Sequence, residues 1–235
     1  MRRLALATLA VVVLVAGAGC LGSGGVSDDQ LAENATYAWN ASANGTIDLS
    51  TGSYRAVFRV SNQSELRLAT PTDLAGDSPV SVSAVQFRYP NGTVVNSSAI
   101  EVDQTRSETI VHLPAADGQF GYTASAGERV ATLPTPVKGS YEVVLPGGMD
   151  VDLPVFGHVS PGGYDRSYED GRVHLRWDDV SGDSVEVNYY YRQDLYIYGG
   201  VVLLALLAGG AGAFYIRLQI RRLREYRRDA GLDVE

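Results

Sequence analysis

The chain has 235 residues, with 27 Asp or Glu against 19 Lys or Arg, a formal net charge of −8. That balance argues against nucleic-acid binding, which needs a basic face. The single cysteine excludes an intramolecular disulfide and a Cys-ligated metal cluster within one chain.

The first segment is cationic at Arg2 and Arg3 and apolar over residues 4–18. A helix over that run rises about 22 Å, short of the roughly 30 Å hydrocarbon core, so 1–19 reads as a signal peptide rather than a span. Gly17, Ala18 and Gly19 then lead into Cys20, like the cleavage site of a lipoprotein, although Gly17 stands where Leu or Val is usual. Cys20 is the candidate lipid-attachment residue; ordinary cleavage would leave it a lone thiol. Arg2-Arg3 also partly matches a twin-arginine export signal, so the export route stays open.

Six of the seven asparagines begin Asn-x-Ser/Thr sequons: Asn34, Asn40, Asn44, Asn62, Asn91 and Asn96. Sequons are glycan acceptors only on the exported side. Turn chemistry alone accounts for Asn44 and Asn91 but not for all six. Residues 20–45 therefore read as a lipid-anchored, glycosylated stalk.

From there to residue 194 the pattern is β. Tyr54, Ala56, Phe58 and Val60 alternate with Arg55, Val57 and Arg59, one face apolar and the other mostly charged. Further short strands are expected at 80–89, 93–95, 110–113, 120–123, 129–133, 141–145, 164–169, 172–177 and 185–191. Asp170-Gly171 is the clearest hairpin turn. Helical periodicity before residue 195 is confined to 28–33. The expected fold class is mainly β, an antiparallel sandwich-like ectodomain plus one C-terminal transmembrane helix. The Pro146-Gly147-Gly148 cluster suggests a division into a domain over 46–145 and a membrane-proximal β unit over 146–194. A single continuous β domain is the alternative.

Residues 195–216 carry no charge and are long enough to cross a bilayer. Tyr196, Tyr198, Phe214 and Tyr215 sit at interfacial positions. The tail 217–235 holds six arginines against four acids, which places it in the cytoplasm and 21–194 outside. Ala205/Gly209 and Ala208/Gly212 are small-xxx-small pairs, candidates for packing against a second copy or a partner helix. The basic segment after the span can extend the helix and meet anionic head groups.

Residues 21–194 hold 23 acids and 11 bases, a net −12, and Lys138 is the only lysine in the chain. At molar salt the Debye length falls to about 3 Å, so such a surface stops repelling itself and stays hydrated. Chemistry is sparse. His112, His158 and His174 are far apart in sequence, without metal-ligand spacing. Gly76-Asp77-Ser78 and Gly182-Asp183-Ser184 read as polar turns rather than nucleophile elbows. Asp150/Asp152 and Asp178/Asp179 are weak calcium candidates. No cofactor, metal or catalytic set is expected.

GAGCLG at 17–22, VQFRYPNGTVVN at 85–96, VSPGGY at 159–164 and RLQIRRL at 217–223 together resemble an uncharacterised family of haloarchaeal membrane-anchored surface lipoproteins. The resemblance implies surface localisation and salt adaptation and transfers no site residues. The expected function is a non-enzymatic surface binding or envelope module in contact with the lipid bilayer. The alternative is an accessory or sensory subunit acting through the span and basic tail.

Overall fold

The computed structural model describes residues 26–72, 76–153 and 155–229. Cys20 and the segment 1–19 lie outside the described residues. The chain divides into two units, a β body ending at Tyr189 and a second unit from Tyr190.

The body contains β1 (Gly45–Ser50), β2 (Ser53–Val60), β3 (Glu65–Thr72), β4 (Gly76–Pro79), β5 (Val82–Arg88), β6 (Val94–Asn96), β7 (Glu101–Gln104) and β8 (Thr109–His112). It continues with β9 (Gly118–Ser125), β10 (Val130–Pro134), β11 (Gly139–Val144), β12 (Met149–Asp150), β13 (His158–Ser160), β14 (Asp165–Glu169), β15 (Arg172–Val180) and β16 (Ser184–Asn188). One large sheet runs β14-β15-β11-β1-β2-β9-β5-β6. Its neighbours are antiparallel except β1 and β11, which run parallel with Ile47 opposite Val143.

Alternation decides which side chains this sheet buries. Ile47 and Leu49 of β1, Tyr54, Ala56 and Phe58 of β2, Phe120 and Tyr122 of β9, and Val143 of β11 point inward, each 2% exposed or less. The smaller sheets β4-β3-β8-β7 and β10-β16-β13 supply Leu66, Leu68, Val111, Leu133, Val185 and Val187, equally buried. Each such side chain contributes about 1.5–3 kcal/mol. Buried hydroxyls are satisfied: Tyr54 and Tyr122 bond each other at 3.2 Å, and Tyr141 donates to the Val137 carbonyl at 2.6 Å. The result is the expected antiparallel, sandwich-like β fold. Asp170 and Gly171, at φ 49° and 78°, form the hairpin turn between β14 and β15.

Three details differ from the sequence reading. The Pro146–Gly148 boundary separates no sheets, because β15 pairs with β11 in the large sheet and β16 pairs with β10. Gly76-Asp77-Ser78 is not a turn but most of β4, paired with the end of β3. Residues 26–44 are not a free stalk. A short helix, α1 (Asp28–Leu31), capped by the Ser27 hydroxyl, buries Leu31, and Tyr37 is only 5% exposed. The strip after α1 lies across the outward face of the large sheet.

The second unit holds β17 (Tyr190–Tyr191) and α2 (Arg192–Asp229), a helix of 38 residues. Over Arg192–Arg228 it is long and apolar enough to cross a membrane. Leu204 and Leu206 are each 68% exposed, as lipid-facing side chains would be. The helix starts three residues before the uncharged run 195–216 and carries on through the arginines.

Candidate functional site

A groove of about 800 Å³ lies on the outward face of the large sheet. Its floor is built from outward positions of three strands: Thr46 and Asp48 of β1, Glu142 and Val144 of β11, and Arg172 and His174 of β15. Register brings them together, with Thr46 opposite Glu142 and Val144 opposite His174. Tyr37 to Ala41 of the covering strip form one wall.

The floor is a ladder of paired charges. Arg172 reaches the Asp48 carboxylate and also donates to the carbonyls of Leu145 and Leu49 at 2.7 and 2.8 Å. His174 Nδ1 lies 2.9 Å from Glu142 Oε1. The same carboxylate takes Arg176 Nε at 3.0 Å, and Arg176 turns its far side to Glu169, at 2.6 and 2.9 Å. The Arg176 hydrogen bond, followed by that from Ser167, pulls the Glu169 carboxyl down to about 2. Glu169 in turn raises the Arg176 guanidinium. The floor is thereby prearranged, with donors and acceptors fixed before anything arrives. Thr46 Oγ1, buried on that floor, has no hydrogen-bond partner among the described residues.

The wall is held by the sheet beneath it. Arg55, Gln86, Gln119 and Arg59 donate to the carbonyls of Thr36, Ala35, Trp39 and Ala41. Tyr37 and Trp39 meet edge to face, 5.5 Å between centroids. Gly121 makes room for them, since a Cβ there would sit 3.0 Å from both rings. Burial pushes the Tyr37 phenol up to about 12.

Of the residues singled out in the sequence, the groove gathers Asn40 on its wall, His174 on its floor and Asp170 on its rim, and not the rest. Asn34, Asn40, Asn62, Asn91 and Asn96 are exposed, whereas Asn44 is half-buried and donates its amide to the Lys138 carbonyl at 3.1 Å. In Asn91 and Asn96 the side-chain oxygen accepts from the backbone N–H two residues on. Ala205, Ala208, Gly209 and Gly212 all lie exposed on α2, and a Cβ added at either glycine would meet nothing within 4 Å. His112 pairs with Asp103 at 3.1 Å. Asp150 and Asp152 both grip Arg166, at 2.7 and 2.9 Å, so an arginine occupies the place suggested for calcium. Among the described residues no group of three or more His, Cys, Asp or Glu is placed to hold a metal. The groove itself was not foreseen. Its only sequence signal is opposite charge at outward positions of β11 and β15, and pairing them requires the register.

Residues 41–235 match the model of a family of unknown function, DUF5803, and the chain belongs to that family. No curated protein matches it. Among solved structures, an M1 zinc metallopeptidase from Deinococcus radiodurans is similar at a TM-score of 0.33 and 13% identity, over 61% of this chain and 40% of that one. A two-domain M1 zinc metallopeptidase bound to L-tryptophan gives the same TM-score and identity, over 61% and 41%. The chain thus spans about 40% of the length of the structures it matches.

Proposed function

We propose that the protein is a non-enzymatic binding module displayed on the outer cell surface, tethered by α2 and by lipid on Cys20, and that its groove receives a partner. The prearranged ladder Asp48–Arg172 and His174–Glu142–Arg176–Glu169 carries this reading. Each of its carboxylates is already paired with an arginine, which suits recognition better than proton transfer. The excess of arginines after residue 216 supports an outside body and an inside tail. The net −12 of residues 21–194 and the near absence of lysine support life in molar salt, as in haloarchaeal surface lipoproteins. The test is a photo-crosslinker placed at Asp170 on the groove rim, in native membranes at molar salt. A discrete adduct that Arg172→Ala abolishes is the expected result; a chain recovered alone by both proteins would refute the reading.

A second reading is supported by the length of α2. An anchor is complete near residue 216, yet the helix continues to Asp229 through Arg217, Arg221, Arg222 and Arg224. An unbroken helix can transmit a shift to a membrane partner. If it does, deleting 217–235 should abolish that partner's co-purification while leaving the protein in the membrane.

A further inference from the structure

On the groove floor each polar side chain uses only part of its hydrogen-bonding capacity among the described residues. His174 directs Nδ1 to Glu142 and leaves Nε2. Glu142 receives both His174 and Arg176 on Oε1 and leaves Oε2. Arg172 directs Nε and Nη2 to Asp48 and to three backbone carbonyls and leaves Nη1. Thr46 Oγ1 is buried without a partner. The unused groups are held in place by the ones in use, and donors stand beside acceptors.

The surroundings narrow the chemistry of a ligand. Strands β15, β11 and β1 each have a neighbour on both sides, so their backbone groups lie in ladders. An extended peptide therefore cannot add to the floor as a further strand. Three carboxylates, Asp48, Glu142 and Asp170, line the groove with two guanidinium groups, Arg88 and Arg172. That balance offers a phosphate no net positive charge. Asp48 and Glu142 already face arginines, which leaves a bare cation poorly served. A neutral ligand fits, one whose polar groups each donate and accept, as hydroxyls do. Val94, 44% exposed, and the half-buried ring of Trp39 add apolar surface beside the polar floor. A sugar ring has both characters, hydroxyls around its edge and C–H groups on its face.

We propose that the groove binds carbohydrate, with sugar hydroxyls meeting Glu142 Oε2, Arg172 Nη1 and Thr46 Oγ1. This rests on the reading of the groove as a binding site and names its ligand class. One source of sugar is close by. Asn40, which begins a sequon, is exposed on the groove wall, and its side chain makes no hydrogen bond to the described residues. A glycan on Asn40 would start at the groove, and its tether would raise its local concentration there. A separate surface saccharide is the other source.

The test uses the full chain purified from native membranes in detergent at molar potassium chloride, as the parent and as Asn40→Gln. The probe is the pool of oligosaccharides released from the same membranes, labelled with a fluorophore at the reducing end. Immobilised protein should retain a labelled saccharide. Retention by Asn40→Gln but not by the parent assigns the groove to the chain's own glycan. Equal retention by both assigns it to a separate saccharide. Thr46→Val removes a hydroxyl that has no partner among the described residues, so the fold should tolerate it, while retention should weaken about tenfold. Retention unchanged by Thr46→Val would overturn the proposal, as would no retention by either protein. In the latter case an adduct at Asp170 that Arg172→Ala abolishes leaves the groove reading standing, and the absence of any adduct overturns both.

Discussion

The Tyr37 hydroxyl donates to the Ala84 carbonyl at 2.7 Å, joining the covering strip to the one left-handed residue of β5. Ala84 has φ 52° and lies where the β5–β9 register shifts between Ser83 and Gln86. Such a bulge re-aims a backbone group and costs about 1–3 kcal/mol at a non-glycine residue. The phenol that meets it is also the wall of the groove.

Tyr37→Phe should therefore destabilise the body by about 1–2 kcal/mol, since a buried carbonyl loses its partner. Tyr37→Ala should cost about 3–5 kcal/mol. Denaturant unfolding measures both. Limited proteolysis should also cut within 26–44 faster in Tyr37→Ala than in the parent.

Gly45 is packed face-on by a ring: a Cβ there would lie 2.3 Å from Tyr141. Gly45→Ala should cost about 1–3 kcal/mol by overpacking. Gly147→Ala, where a Cβ meets nothing within 4 Å, should stay within about 0.5 kcal/mol of the parent. Thermal unfolding of the two variants side by side separates crowding from any general effect of replacing glycine.

These two positions show what could be read from the chain and what could not. Strand β2 is legible because Tyr54, Ala56, Phe58 and Val60 alternate with Arg55 and Arg59, broken only by Val57. Strand β1 is harder, with just Ile47 and Leu49 as large apolar residues and a sequon at its start that suggests exposure. Its partner β11 lies far along the chain, and no local pattern names a distant parallel neighbour. The groove inherits that difficulty. Asp48, Glu142 and His174 each look like the solvated side of a strand until three strands are placed in register. Residues 26–44 misled for a related reason. Their polar composition reads as a stalk, while the backbone carbonyls that fix the strip to Arg55, Gln86 and Gln119 leave no mark in the side-chain sequence.

Glycan occupancy should follow exposure. Asn44 spends its amide on Lys138 and is packed against Gly139, where a Cβ would lie 2.3 Å from Asn44 Nδ2. Peptide mass mapping of protein from native membranes should find glycan at Asn91 and Asn96 and none at Asn44. Occupied Asn44 would mean that the sugar is added before β1 and β11 pair.

The Glu169 carboxyl, held at about 2 against an ordinary 4.5, makes the β14–β15 hairpin acid-sensitive in a defined window. A depressed carboxylate contributes stability that is complete above its unfolded value and lost as pH falls toward the folded one. Unfolding followed between about pH 4.5 and 2 should show that loss. Arg176→Ala should return the Glu169 titration, followed by carboxyl NMR, toward 4.5.

Arg166 bridges Asp150, which is 7% exposed, and Asp152. Arg166→Ala should cost about 1.5–3 kcal/mol, because it takes the counter-charge from a nearly buried carboxylate and leaves it weaker partners such as the Val151 N–H. In the parent, calcium should bring no thermal shift at molar salt. In Arg166→Ala, recovery of the lost stability on adding calcium would show that the guanidinium stands in for a cation.

The parallel seam between β1 and β11 also sets an order of events. Its two strands are separated by more than 90 residues, from Gly45 to Gly139, and β11 is flanked in turn by β15. Contacts of such long sequence separation form slowly. A chain made N-terminus first presents β1 long before β11 and β15 arrive. The large sheet closes only when nearly the whole body has been made, just ahead of the long apolar helix. Until then the apolar face of β1 and β2 waits uncovered, with no sheet partner to bury it.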